Sequence, residues 1–143
     1  MEWVAGLHRN THYWDASAVL SALFKDSHSD DAMKWARVEG VHLMTTLGYA
    51  ETCAVIARLE RERILADVLV EAAQEALGEG PWRRLNALPD WSAMVGLSRK
   101  WPLRGADLWH LATAKTLKTQ LPELTLLTFD LHLREAARGE GLF

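Results

Sequence analysis

Short runs of β-forming residues alternate with helical segments along this chain of 143 residues, and this alternation limits its fold more than any other feature. The clearest strand is predicted for LTLLTF, Leu124 to Phe129, which lies between Pro122 and Asp130. Its continuous apolar character is typical of a strand buried on both faces of a parallel sheet. Further strands are predicted for THYW (Thr11 to Trp14), VHLMTT (Val41 to Thr46) and WRRLNAL, and the final LF would begin an edge strand.

Segments with apolar residues at helical spacing lie between these strands. A helix follows THYW directly, DAMKWARVEG is predicted as a helix ended by Gly40, and a longer helix is predicted from about Leu47 to Glu62. Strands separated by helices predict an α/β fold with a central, mainly parallel sheet of four to five strands, flanked by helices as an α/β/α sandwich.

We expect a single domain over residues 11–143, because a chain of this length can bury one substantial core. Residues 1–10 are predicted as an N-terminal extension whose origin the sequence leaves open. No apolar run approaches the length of about 18 residues that a membrane helix needs, and MEWVAGLHRN is too polar for a secretory signal. The single cysteine, Cys53, excludes an internal disulfide and predicts a cytoplasmic location.

Two of the predicted strands end directly on an aspartate. Asp15 follows THYW and Asp130 follows LTLLTF, and each is also a typical N-cap of the helix that comes next. The carboxyl ends of parallel strands meet at one edge of a sheet, so we expect both side chains there. Asp107, in PLRGAD, joins them if its helix begins at that edge. By itself Asp107 is better explained as a carboxylate that interacts with the helix dipole.

Glu51 is the fourth candidate acid. Its neighbours along the i, i+4 row are Leu47 and Val55, so it lies in an apolar row of its helix. A carboxylate in such a place needs a cation, a donor or a proton, unless it extends past the apolar stripe to solvent. Carboxylates that converge without histidine or cysteine ligands favour Mg²⁺ or Mn²⁺, and such ions assist phosphodiester hydrolysis.

Four segments also resemble, in order and spacing, the successive motifs of PIN domains. The closest resemblance is to the VapC-type ribonuclease toxins of bacterial toxin–antitoxin pairs. The segments are YWDASAVLSALF, TTLGYAETCAVIARL, LRGADLWHLATA and LLTFDLHLREAA. Each motif is weak alone, whereas the ordered set is specific, and it extends from about Tyr13 to the C-terminus. The chain departs from the family in its longer N-terminus and in a last strand cut short at Phe143.

The resemblance implies a PIN-like fold and a Mg²⁺ or Mn²⁺ site formed by Asp15, Glu51, Asp107 and Asp130. It also implies a role for Thr128, since a hydroxyl residue two positions before the last aspartate is usual in the family. The implied partners are an RNA substrate, such as tRNA or another structured RNA, and a cognate antitoxin protein. We further expect a homodimer and no membrane partner.

Three other residues are candidates for supporting the site or contacting substrate. Ser17 lies in the first turn beside Asp15, where it would hold the metal's water shell or be an ordinary helix serine. His110 shares a helix face with Asp107 and would contact RNA or water, or be a satisfied core histidine. Arg104 is placed to meet a phosphate or to pair with a carboxylate.

Two other enzyme classes that use an aspartate after a first strand require residues that this chain lacks. Phosphatases of the haloacid-dehalogenase type require a second aspartate at position 17, where this chain has Ser17. Receiver domains require a lysine after a late strand, where it has Asp130. The alternatives that remain are a PIN nuclease outside a toxin–antitoxin pair and a non-catalytic PIN-like module that binds other proteins.

Overall fold

A computed structural model describes residues 10–143, and this range contains four strands and seven helices. They are β1 (Thr11–Trp14), α1 (Ala16–Leu23), α2 (Ser29–Ala36), β2 (Val41–Thr45), α3 (Thr46–Arg61), α4 (Asp67–Glu79), β3 (Trp82–Leu85), α5 (Trp91–Lys100), α6 (Gly105–Lys118), β4 (Leu124–Leu127) and α7 (Leu131–Gly139). The predicted N-terminal extension lies, apart from Asn10, outside the described residues and stays a prediction.

The four strands form one parallel sheet in the order β3-β2-β1-β4. Strand β1 is central, with Tyr13 opposite Leu43 of β2 and Leu126 of β4. Because every strand is parallel to its neighbour, all four carboxyl ends lie at the same edge. The prediction of an α/β fold with a parallel central sheet is confirmed.

The side chains of successive strand residues point to opposite faces, and each face packs against its own layer of helices. Tyr13 and Trp14 are both fully buried, Tyr13 in the layer of α5, α6 and α7 and Trp14 in the layer of α1 to α4. Leu126 and Leu127 divide between the layers in the same way. Within residues 10–143 no helix is long and apolar enough to cross a membrane.

Two predicted strand ends, one predicted helix end and one predicted strand were wrong. Strand β3 ends at Leu85 and does not continue through WRRLNAL to Leu88. Strand β4 ends at Leu127 instead of Phe129, because Thr128 and Phe129 bond to side chains beside β1. Helix α2 ends at Ala36, and Gly40, with φ +139°, serves the following turn, where an added Cβ would lie 2.3 Å from the Asn10 carbonyl oxygen. The predicted strand at LF does not form: the Leu142 carbonyl accepts the Leu126 N–H of β4 at 2.7 Å, but the Leu142 N–H donates to the Ala137 carbonyl of α7, so the pairing does not continue.

A buried carboxylate joins three helices at the end of α7. Glu140 accepts hydrogen bonds from Lys100 at 2.7 Å, from the Trp101 indole N–H at 2.9 Å and from Lys115 at 3.1 Å. Burial opposes the charge of Glu140, but these donors outweigh it and lower its pKa from 4.5 to about 2. The preceding Gly139 allows close approach of the Trp101 ring, which an added Cβ would meet at 2.3 Å.

We predict that Glu140→Gln lowers the free energy of unfolding at pH 7 by about 1–2 kcal/mol, a modest value because both lysines are about half exposed. Since the folded pKa of Glu140 is depressed, its contribution is present above its ordinary pKa and disappears as the pH falls through the folded value. Urea denaturation at pH 7 and at about pH 3 measures this loss. Glu135→Gln, at an exposed position of α7, is the matched control, and an equal effect of both variants would contradict the prediction.

Candidate active site

Asp15 follows β1 directly at the carboxyl edge of the sheet. Its N–H donates to the Leu127 carbonyl oxygen at 3.1 Å, which extends the β1–β4 ladder by one residue. Its side chain caps α1, since Oδ1 accepts from the Ala18 N–H at 2.9 Å. The helix-capping interpretation of Asp15 is therefore correct, and it leaves the carboxylate at the edge where the other acids were expected.

Ser17 and Thr128 hold the Asp15 carboxylate from both of its oxygens. The Ser17 hydroxyl donates to Oδ1 at 2.7 Å, and the Thr128 hydroxyl donates to Oδ2 at 2.5 Å. Each hydroxyl oxygen also accepts a backbone N–H from the segment after β4, that of Phe129 at 3.1 Å and that of Asp130 at 3.1 Å. Ser17 and Thr128, two of the residues predicted to support the site, thus connect Asp15 to the segment that carries Asp130.

Asp15 is 4% exposed, and this burial raises the pKa of its carboxyl. The hydrogen bonds from Thr128, Ser17 and the Ala18 N–H, together with the nearby His110, act in the opposite direction. The three donors are therefore what makes an ionised carboxylate tolerable at this buried position.

Asp107 and Asp130 line a cavity of about 320 Å³ at this edge. Asp130 caps α7 through a hydrogen bond from the Leu133 N–H to Oδ1 at 2.9 Å, so its predicted capping role is also present. Asp107 lies in the first turn of α6. The remaining lining residues are Pro102, Leu103, Arg104 and His132.

The other three acids act electrostatically on Asp107. Burial raises the pKa of Asp107, and the carboxylates of Asp130, Asp15 and Glu51 raise it further, while His110 lowers it. Among residues 10–143, none of the four carboxylates forms an ion pair with a lysine or arginine. Within the described residues, the negative charge of these acids at the sheet edge is therefore not neutralised by an ion pair with lysine or arginine.

The Glu51 carboxylate is hydrogen-bonded to the buried His110. On α3 it is about one-third exposed, and its Oε1 lies 2.6 Å from Nε2 of the fully buried His110 of α6. The other ring nitrogen, Nδ1, lies 2.6 Å from the hydroxyl of Tyr13, and that hydroxyl lies 3.5 Å from Oγ1 of Thr45. Burial raises the pKa of the Tyr13 phenol well above its ordinary value, so this hydroxyl stays protonated.

The donor set of this edge suits a hard divalent cation, because it consists of carboxylate oxygens whose mutual repulsion a cation would relieve. The side chains as they stand are not a closed set of ligands. In the described part of the chain, no three His, Cys, Asp or Glu side chains are arranged so that they could hold one ion. Asp15 and Glu51 are directed to their hydrogen-bond partners, and only Asp107 and Asp130 line the cavity.

The PIN domain family matches this sequence over residues 13–139, which is most of the chain. The chain belongs to the PIN domain family. The resemblance predicted from its four motifs is thereby confirmed at the level of the family. PIN domains in general are nucleases that use divalent metals, which agrees with a carboxylate-lined edge.

Two solved structures share the fold of this PIN domain. PAE2754 from Pyrobaculum aerophilum is 17% identical over 91% of this chain and 81% of its own, with a TM-score of 0.60. VapC20 from Mycobacterium tuberculosis, described as a sarcin–ricin loop cleaving toxin, is 14% identical over 87% of this chain and 94% of its own, with a TM-score of 0.58. At these identities the likeness shows the fold alone. No curated protein matches the sequence.

Two residues of this PIN domain site were missed by the reasoning from sequence. His132 lines the cavity beside Asp130, and its place two residues after a strand-ending aspartate could have suggested it. Tyr13 contacts His110 across 97 positions of sequence, for which no local pattern exists. Arg104 lines the cavity as a candidate phosphate contact and forms no ion pair within the described chain.

We predict that Asp107→Asn raises the Tm of the metal-free protein at pH 7 by about 2–4 °C, because it removes a charge that burial and three carboxylates oppose. Since the folded pKa of Asp107 is raised above 3.8, the neutral carboxyl stabilises the fold at low pH, and this contribution is lost as the pH rises through the folded value. The Tm difference from wild type therefore closes toward about pH 4.

Thermal unfolding in EDTA over this pH range tests the prediction. Asp67→Asn is the matched control, because Asp67 also lies in the first turn of a helix but is exposed and does not line the cavity of Asp107 and Asp130. A lower Tm for Asp107→Asn, like that expected for Asp67→Asn, would mean that Asp107 mainly serves the helix dipole.

Proposed function

We propose that this PIN domain is a Mg²⁺- or Mn²⁺-dependent endoribonuclease and the toxin of a toxin–antitoxin pair. The observation that carries the proposal is that Asp15, Glu51 and Asp130 all raise the pKa of Asp107 at one sheet edge, where Asp107 and Asp130 line an open cavity. Membership of a nuclease family supports the reaction class. The fold-level likeness to a VapC toxin and the motif resemblance support the toxin role.

Asp15, Glu51, Asp107 and Asp130 would hold the ion. When bound, the ion would supply a Lewis acid that makes water nucleophilic near neutral pH and balances charge on the phosphodiester. The protein's own part is to orient these carboxylates. The hydroxyls of Ser17 and Thr128 donate to Asp15, and the Leu133 N–H of α7 donates to Asp130.

Arg104 and His132 would bind the substrate on the wall of the same cavity. Both side chains are exposed, and no hydrogen bond or ion pair within the described chain occupies either of them. A guanidinium beside two carboxylates can bind phosphate oxygens while the acids hold the ion. Arg104 would therefore position the RNA backbone without reading its sequence.

The remaining parts of the proposal are a cognate antitoxin protein, a homodimer and a cytoplasmic location. The first two follow from the resemblance to VapC toxins, and the third agrees with the single cysteine. Light scattering after size-exclusion chromatography measures the oligomer. Growth arrest on expression, relieved by a small protein encoded beside this one, separates a toxin from a PIN nuclease of another kind.

We predict that RNA cleavage requires Mg²⁺ or Mn²⁺, stops in EDTA and falls by about 100-fold or more in Asp15→Asn and Asp107→Asn. The measurement is cleavage of total cellular RNA with the new 5′ ends mapped by sequencing, so that a single cut site in one RNA is detected. Asp90→Asn is the control, since Asp90 also precedes a helix but caps no backbone N–H. Metal-independent cleavage, or full activity of Asp107→Asn, would disprove this mechanism.

We predict a different effect for Arg104→Gln. It should weaken the binding of single-stranded RNA several-fold and make the log–log dependence of affinity on salt shallower by about one, as expected for the loss of one phosphate contact. Fluorescence anisotropy in EDTA over a series of salt concentrations measures both quantities. Arg104→Lys should restore part of the salt dependence, and Arg99→Gln, at an exposed position of α5, should change neither. An unchanged salt slope for Arg104→Gln would rule out a phosphate contact.

A further inference from the structure

The contact between Glu51 and His110 belongs to a longer chain of hydrogen bonds beneath the site. The chain runs from Thr45 at the end of β2 through Tyr13 of β1 and His110 of α6 to Glu51 of α3. The two bonds to the imidazole are both 2.6 Å long. Thr45, Tyr13 and His110 are each at most 1% exposed, so water does not compete for the hydrogen bonds among them.

For a neutral imidazole, the carboxylate at one end of the chain sets the direction of these bonds. A carboxylate only accepts, so a hydrogen bond to Glu51 requires that Nε2 of His110 carry a proton. A neutral imidazole then presents a lone pair at Nδ1, and the Tyr13 hydroxyl can donate to it. The Thr45 hydroxyl can then donate to the Tyr13 oxygen, while the Thr45 oxygen accepts the Gly48 N–H at 3.3 Å. Thr45, Tyr13 and His110 thus each donate one hydrogen bond along the chain, and Glu51 accepts the last one.

We propose that His110 is a positioning residue, which holds the Glu51 carboxylate in one orientation at the site while Tyr13 fixes the tautomer of its ring. The inference rests on the proposed function, because it assigns a purpose to Glu51. Glu51 projects from a helix surface and is about one-third exposed, so without this bond its carboxylate would sample several rotamers. A ligand that is oriented before the ion arrives binds it more tightly.

A second buried histidine provides an internal comparison. His42 accepts from the Trp14 indole N–H at Nδ1 at 3.0 Å, and its Nε2 N–H donates to the Val38 carbonyl at 2.9 Å. It has the same tautomer requirement as His110 and is 5% exposed, but its partners are structural groups and none of them is an acid. Replacing His42 therefore tests what loss of a satisfied core histidine does by itself.

The first experiment is ¹⁵N NMR of the histidine rings in the full-length, metal-free protein. For both His42 and His110 we expect a protonated Nε2 and an unprotonated Nδ1. Tyr13→Phe should shift the ¹⁵N resonances of His110 and leave those of His42 in place. A His110 ring with no proton on Nε2 would overturn the inference, whatever the protein does to RNA.

The second experiment measures Mn²⁺ affinity by electron paramagnetic resonance, which does not depend on activity. His110→Met removes the donor and should raise the Kd for Mn²⁺ by about 10-fold or more. His110→Gln keeps an amide N–H that can reach Glu51 and should recover most of the affinity. Tyr13→Phe retains the ring and the packing and should give an intermediate Kd, which keeps the test valid if His110→Met folds poorly. His42→Gln should bind Mn²⁺ like the wild type.

The outcomes distinguish this inference from the proposed function. If the wild type binds Mn²⁺ and cleaves RNA while His110→Met and Tyr13→Phe bind Mn²⁺ equally well, the positioning role is wrong and the nuclease proposal stands. If the wild type neither binds Mn²⁺ nor cleaves RNA, the nuclease proposal is wrong and the positioning role with it. Equal losses of affinity in the His42 and His110 variants would show a general effect of core disruption and would also reject the role.

Discussion

The parallel ladder between β1 and β4 extends one residue past the end of β1, and the arrangement of the acids follows from this. The Asp15 N–H still bonds to the Leu127 carbonyl, so Asp15 has a fixed position relative to the segment after β4. A carboxylate placed there is almost fully buried and would be unstable without donors. The hydroxyls of Ser17 and Thr128 supply them, and the same two oxygens accept the N–H groups of Phe129 and Asp130.

The helix-capping roles of Asp15 and Asp130 are compatible with the ligand roles proposed for them. Asp15 and Asp130 cap helices, as a purely local interpretation would have it, and in doing so they receive N–H groups that favour the ionised carboxylate. Asp107 has no such cap, and burial together with the other acids makes its charge costly. The negative charge collected at this site lowers the stability of the fold, and a bound divalent cation would offset that cost. Such a compromise between stability and function is common.

Elements whose sequence pattern is local were predictable. The strand and helix alternation, the parallel sheet and the position of the strand-ending aspartates follow from residues within a few positions of each other, so their pattern is visible in the sequence. The last two residues of the predicted strand LTLLTF show the limit of such patterns. Thr128 and Phe129 have strand-like side chains, but their hydrogen bonds go to Asp15 and Ser17, more than 100 positions away.

The sequence by itself therefore determined the type and order of most elements and the aspartates that cap the helices after β1 and β4, because helix caps and strand periodicity depend on neighbouring residues. The apolar row around Glu51 predicted either a partner for this acid or an extension of its side chain to solvent. Only the tertiary structure decided what the partner was, since His110 is 59 positions away and comes to Glu51 through the packing of α6 against the sheet. Tyr13, Thr45 and the lysines around Glu140 were decided in the same way, because hydrogen bonds between distant side chains depend on strand order and helix packing.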